Sequence, residues 1–199
     1  MDVIFAGGTV VDGTGAPGRR ADVGVKGGSI AAVGDLSGTP ARERIDITDR
    51  VISPGFIDMH THSDVPLMVN PLAEGKIRQG VTTEVIGMCG MSPAPLKGPN
   101  SDAIRQSSAS KGANSLDWDW QTYGDFLDRL TDRRPSVNVV PIVGHIPIRI
   151  IAMGFERRPA TAAEMAVMQG LLREALEAGA HGISTGLVYP PSSYADTDE

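Results

Sequence analysis

Cysteine is almost missing from this sequence: among 199 residues there is only Cys89. No disulfide can form within the chain, so a reducing compartment, with the cytoplasm as the default, is expected. Long apolar runs are absent too. No stretch approaches the roughly 20 residues that span a bilayer, and the opening MDVIFAGGTVVDG shows no basic leader before a long apolar region, so a soluble protein without a membrane partner is expected. Positive charge is in deficit, with 18 Lys and Arg against 24 Asp and Glu and a net charge of -6. This balance argues against wrapping polyanionic nucleic acid and favours a small polar substrate. What is present is globular in character, at 41% hydrophobic and 21% charged, and 199 residues can bury a substantial core.

The first fifty residues alternate short β-type runs with glycine turns, DVIFAGGTVVDGTG and then ADVGVKGGSIAAVG, and read as a small meander of strands. RERIDITDR (42 to 50) is polar and alternating. Composition changes at VISPGFIDMH, a continuous apolar run that reads as a strand buried on both faces, so a domain boundary is expected near Val51. Beyond it strand and helix alternate. PLAEGKIRQG reads as a short helix, VTTEVIG as a strand, WQTYGDFLDRLTDR as a helix and SVNVVPIVGH as a strand. TAAEMAVMQGLLREALEAGA follows as a long amphipathic helix and HGISTGLVY as a strand. Four strands, each leading toward a helix or loop, predict parallel βα units. Residues 97 to 116, rich in Ser, Gly, Ala and Asn, read as an excursion on the rim.

Chemically capable residues fall at the C-terminal ends of these strands. His60 and His62 close the first, Cys89 follows the second, His145 closes the third and Tyr189 lies just beyond the fourth. In a parallel barrel that end is the active face. Side chains at i and i+2 of a strand share a face, so both imidazoles can reach one cation while Thr61 turns away. Imidazole binds zinc at about 2.0 to 2.1 Å, close enough for one ion to take both. Gly87, Gly90, Pro93 and Pro95 around Cys89 argue for a shaped loop, where a thiolate suits zinc. By strand alternation Asp58 points away from the two histidines and reads as structural, and Asp64 as a loop or cap residue.

PGFIDMHTHSD, with the opening pattern DVIFAGGTVVDGTG, resembles the amidohydrolase superfamily. QGVTTEVIGMCGMSPAP (79 to 95), NVVPIVGHIPIR (138 to 149) and EAGAHGISTGLVYPPSSYADTDE (177 to 199) resemble the strand-end motifs of its D-aminoacylase, or N-acyl-D-amino-acid deacylase, group. The resemblance implies an α/β fold: the first four βα units of a (β/α)8 TIM-like hydrolase barrel over 51–199, preceded over 1–50 by part of a small β-sandwich domain. It implies Zn²⁺, one or two ions, held here by His60, His62 and Cys89, and a small-molecule N-acyl amino acid as partner. His145 and Tyr189 are the implied substrate contacts, although Ile146 and Pro147 stand where the group usually has a small residue. The implied reaction is amide hydrolysis giving a D-amino acid and a carboxylate. Zinc polarises the carbonyl and lowers the pKa of bound water toward about 7, and a carboxylate moves the proton. That Asp and two further histidines are expected beyond Glu199, which reads the chain as the N-terminal part of a longer enzyme. Two alternatives stay open. One is another amidohydrolase, dihydropyrimidinase-like or a cyclic-imide hydrolase, against which the Cys-Gly loop and the lack of a lysine at the fourth strand end count. The other is a non-catalytic half-barrel for binding or assembly, whose open edges invite self-association.

Overall fold

The structure is a computed structural model that describes residues 1–109 and 113–199. It divides into two compact units, Met1–Gly55 and Phe56–Glu199. The division falls a few residues beyond Val51 because Val51 and Ile52 are still paired inside the first unit, parallel to Thr9 and Val10.

The first unit contains β1 (Val3–Ala6), β2 (Thr9–Val10), β3 (Arg19–Arg20), β4 (Asp22–Lys26), β5 (Ser29–Gly34), β6 (Glu43–Asp46) and β7 (Val51–Ile52). They form two sheets, in the orders β5-β4-β1-β6 and β3-β2-β7. The expected meander holds for β4, which is antiparallel to both β1 and β5, but not for the unit as a whole. The polar segment at 43–46 returns to lie parallel to β1, and β7 lies parallel to β2. Asp22 ties the crossings together, accepting from Gly7 N at 2.8 Å and Leu36 N at 3.2 Å, so the chain can return beside a strand it left far earlier. Ile4, Val10, Val23 and Leu36 are the buried apolar residues of this unit.

The second unit is α/β. Its strands are β8 (Phe56–Asp58), β9 (Val81–Ile86), β10 (Asn138–Pro141), β11 (Val143–Gly144) and β12 (Ile183–Ser184). Its helices are α1 (Asp64–Val69), α2 (Glu74–Ile77), α3 (Ser101–Ala109), α4 (Tyr123–Asp132), α5 (His145–Met153) and α6 (Ala162–Glu177). Every strand pair is parallel: β8 beside β9, β9 beside β10, and β11 beside β12. Ile142 interrupts the third strand, yet its N–H still donates to Ile86 O at 3.1 Å. Phe126, Ile86, Val143, Tyr123 and Ile148 are almost wholly buried members of one apolar core cluster in this unit.

Three expectations need correction. The GFID run is not buried on both faces: Phe56 is 61% and Ile57 59% exposed, and among the described residues β8 pairs with β9 alone. The 97–116 segment is not a plain loop, since α3 and a 3₁₀ turn at Ala113–Ser115 occupy much of it; Ser110, Lys111 and Gly112 lie outside the described residues. His145 does not close the third strand, because β11 ends at Gly144 and His145 opens the helix α5. Pro147 sits in the first turn of α5, where a missing N–H costs nothing, and the helix is buried nearly all round, so it carries no polar stripe to betray its period.

The start of α6 is set by a reciprocal cap. Thr161 Oγ1 accepts from Glu164 N at 3.3 Å, and Glu164 Oε2 accepts from Thr161 N at 2.8 Å, satisfying two otherwise orphaned donors. Thr161→Ala is therefore expected to cost about 1 kcal/mol, read from the urea midpoint at constant m-value.

Candidate metal centre

The segment carrying the two histidines is held from both sides. Strand β8 ends at Asp58, so His60 and His62 lie just past the strand and not within it. The ladder stops because Thr61 uses both its N–H, at 3.1 Å, and its hydroxyl, at 2.9 Å, on the same carbonyl of Val85. Thr61 is thereby buried, and the flanking imidazoles come together with ring centroids 5.6 Å apart. Below them, His60 N donates to Asp58 Oδ1 at 3.3 Å, and Lys76 Nζ donates to Asp58 Oδ2 at 2.6 Å. The hydrogen bond and charge of Lys76 hold the Asp58 carboxyl below its ordinary range, and the same contacts push the ammonium up. Lys76 also lies 3.4 Å from the fully buried Glu84, which accepts from Ser63 Oγ at 2.5 Å. Asp58, Lys76, Glu84 and Ser63 thus fasten the histidine segment to β9.

The third member arrives from the loop that follows β9, at the same C-terminal end of the strand. Gly87, Cys89 and Gly90 all have positive φ, at 83°, 58° and 73°. A non-glycine residue in the left-handed region carries a steric cost, and such residues gather at functional sites. Here the conformation puts Cys89 Sγ 3.0 Å from His60 Nε2. One ligand atom from each of His60, His62 and Cys89 lies within 4.8 Å of the others. Two imidazoles and one thiol are a donor set suited to zinc.

The surroundings are shaped for this loop. A Cβ on Gly87 would stand 1.6 Å from Ile142 O, one on Gly144 2.4 Å from Gly90 O, and one on Gly186 2.1 Å from Cys89 O. Ser184 on β12 reaches the same loop. Its hydroxyl accepts from Gly90 N at 2.9 Å and donates to Gly87 O. Sequence reasoning missed Ser184, because its contact with the loop comes from the tertiary register of β12 and from no local pattern.

The two candidate substrate residues take different positions. Tyr189 is 41% exposed and rests on the loop through Gly186, whose carbonyl accepts from Tyr189 N at 2.9 Å. His145 is buried at the start of α5, and both ring nitrogens are engaged, Nδ1 with Ser192 Oγ at 2.7 Å and Nε2 with Glu199 Oε1 at 2.9 Å. Glu199 also pairs with the fully buried Arg149. Burial pushes the His145 imidazole below its ordinary pKa against the pull of that carboxylate. His145 therefore sits in a packed polar cluster and is not brought together with the cysteine and the two histidines.

A family model described as the amidohydrolase family matches residues 43–197. The chain belongs to the amidohydrolase family. Among relatives in this family, D-aminoacylase of Alcaligenes xylosoxydans xylosoxydans is 44% identical over 199 residues, covering all of this chain and 40% of that protein. A D-aminoacylase structure concerned with the functional role of its binuclear metal centre is 47% identical, with a TM-score of 0.87 over 99% of this chain and 41% of that one. N-acyl-D-glutamate deacylase of Bordetella bronchiseptica, solved with zinc and a phosphonate mimic of the tetrahedral intermediate, is 43% identical. Its TM-score is 0.87 over 98% of this chain and 40% of that one. The chain thus shares the mixed α/β fold of these amidohydrolases and spans about 40% of their length. Among the described residues no helix is long and apolar enough to cross a membrane.

Proposed function

We propose that this chain carries metal-ligating residues of a zinc-dependent N-acyl-D-amino-acid deacylase, which cleaves the amide bond to give a D-amino acid and a carboxylate. The observation that carries the reading is the convergence of Cys89, His60 and His62 on one point, with the cysteine in a backbone conformation that ordinary packing would not select. The choice of zinc and of an N-acyl-D-amino acid rests on the relatives, one solved with zinc and others named for that substrate class. When bound, the cation supplies Lewis-acid polarisation of the scissile carbonyl. Around it, Asp58 and Lys76 orient the histidine segment, and this reading assigns the half-exposed Tyr189 to contact with substrate. Proton transfer needs a general acid and base that none of the three ligands supplies.

The same reading takes β8 through β12 as the first four strands of a (β/α)8 barrel and the first unit as part of a β-sandwich. Ile57 at 59% and Ile183 at 42% exposure, on the two outer strands, are the apolar residues that neighbouring barrel strands would cover. The test is hydrolysis of N-acetyl-D- and N-acetyl-L-amino acids by the zinc-replete full-length protein, with released amine as the readout. Turnover of the D series at least about 100-fold above the L series is the expected result, about 2.7 kcal/mol of discrimination. Turnover of cyclic imides or dihydropyrimidines without any linear N-acyl substrate would replace this reading with the other amidohydrolase one.

A further inference from the structure

We propose that Ser184 is a positioning residue for the metal centre, setting Cys89 as a ligand from a strand nearly a hundred residues away in sequence. The inference rests on the reading of Cys89, His60 and His62 as metal ligands.

The hydroxyl of Ser184 bridges the two ends of the tight segment Gly87–Gly90, with Cys89 inside it. It takes the hydrogen of Gly90 N–H at 2.9 Å and gives its own to the carbonyl of Gly87. One donor and one acceptor are all that two loop groups require, and a serine supplies both from a single atom. The opposite side of Gly90 is held as well, since its carbonyl accepts from Ile146 N at 2.8 Å. Between these grips Cys89 is kept at φ 58°, which an L-residue leaves readily when its neighbours are free. Without the hydroxyl, Gly90 N–H and Gly87 C=O lose their partner together, and the thiol is released from its 3.0 Å approach to His60.

The source of the hydroxyl has a consequence for assembly. Ser184 is in register with Gly144 on β11, while Cys89 follows β9. The loop of the second strand is therefore completed by the fourth, and the cysteine becomes a competent ligand once β12 has docked beside β11. Metal affinity and docking of the fourth βα unit are coupled through one side chain.

The test uses cobalt(II) in place of zinc in the full-length protein, following affinity by competition and ligation by the near-ultraviolet thiolate-to-cobalt charge-transfer band. Ser184→Val and Ser184→Thr have the same shape and differ in the hydroxyl. The Val variant is expected to bind cobalt about 10–100-fold more weakly, the range typical of residues that orient metal ligands, with a diminished band. The Thr variant is expected to restore both. Thermal unfolding of the metal-free variants controls for folding, and should Ser184→Val fail to fold, Ser184→Ala carries the same comparison. Val and wild-type proteins with equal affinity and equal bands would overturn the role of Ser184 while leaving the metal reading intact. A wild-type protein with no charge-transfer band would overturn the ligand reading of Cys89, and the role of Ser184 with it.

Discussion

Gly87→Ala is expected to destabilise the protein by about 4 kcal/mol or more, or to prevent folding altogether. The added Cβ would stand 1.6 Å from the carbonyl oxygen and 2.7 Å from the carbonyl carbon of Ile142. Both are backbone atoms, so no rotamer change can relieve the clash. The φ of 83° adds a further cost of about 1–2 kcal/mol for a residue with a side chain. Ile142 has little room to retreat, because its N–H donates to Ile86 O at 3.1 Å and its neighbours Pro141 and Val143 are in ladders with β9 and β12. Moving it would separate the strands whose ends build the Cys89 loop. Gly170→Ala in α6 is the matched control: a Cβ there meets nothing within 4 Å, and the change is expected to stabilise by about 0.4–1 kcal/mol. Urea unfolding of the two variants and wild type decides the matter, and a Gly87→Ala protein within 1 kcal/mol of wild type would show the loop to be far more yielding than its contacts imply.

The elements that were legible in the sequence are those with a local period and a local stop. VTTEVIG is a β-rich run ended by glycine, and α4 and α6 begin at Thr-x-x-Asp and Thr-x-x-Glu boxes ahead of amphipathic turns. Helix α5 was not legible, for HIPIRIIAM is apolar on every side and its proline reads as a breaker unless the helix start is already known. The exposure of Phe56 and Ile57 was equally hidden, since an apolar run cannot say how many strands flank it. At the candidate centre, the spacing of His60 and His62 and the glycines at 87 and 90 were the readable signals, while the position of the histidines past β8 and the positive φ of Cys89 were not readable. Ser184 and the partners of His145 are another matter. Ser184 meets Gly87 and Gly90, and His145 meets Ser192 and Glu199, through tertiary register alone, and no local pattern in the chain announces either contact.

On the proposed deacylase reading, Cys89→Ala in the full-length protein is expected to lower kcat/KM by at least about 100-fold, or about 2.7 kcal/mol of transition-state stabilisation, together with a fall in zinc content. Cys89 carries the one thiol in the chain, and it stands 3.0 Å from His60 Nε2 with no other cysteine to replace it. The fold should tolerate the loss better than the site does, because alanine keeps the small apolar character of the position and leaves the Ser184 bridge to Gly87 and Gly90 in place. That separation makes the result interpretable. Metal content by mass spectrometry, circular dichroism and kinetics on one preparation should show a folded protein short of zinc and of activity. Stripping wild type with a chelator should reproduce the loss, and added zinc should reverse it in wild type but not in Cys89→Ala. A folded Cys89→Ala protein with wild-type zinc content and turnover would remove the cysteine from the metal centre. His60→Ala then separates two readings: a loss there would keep the histidine pair as ligands, and wild-type behaviour would leave the cluster with no part in binding the metal.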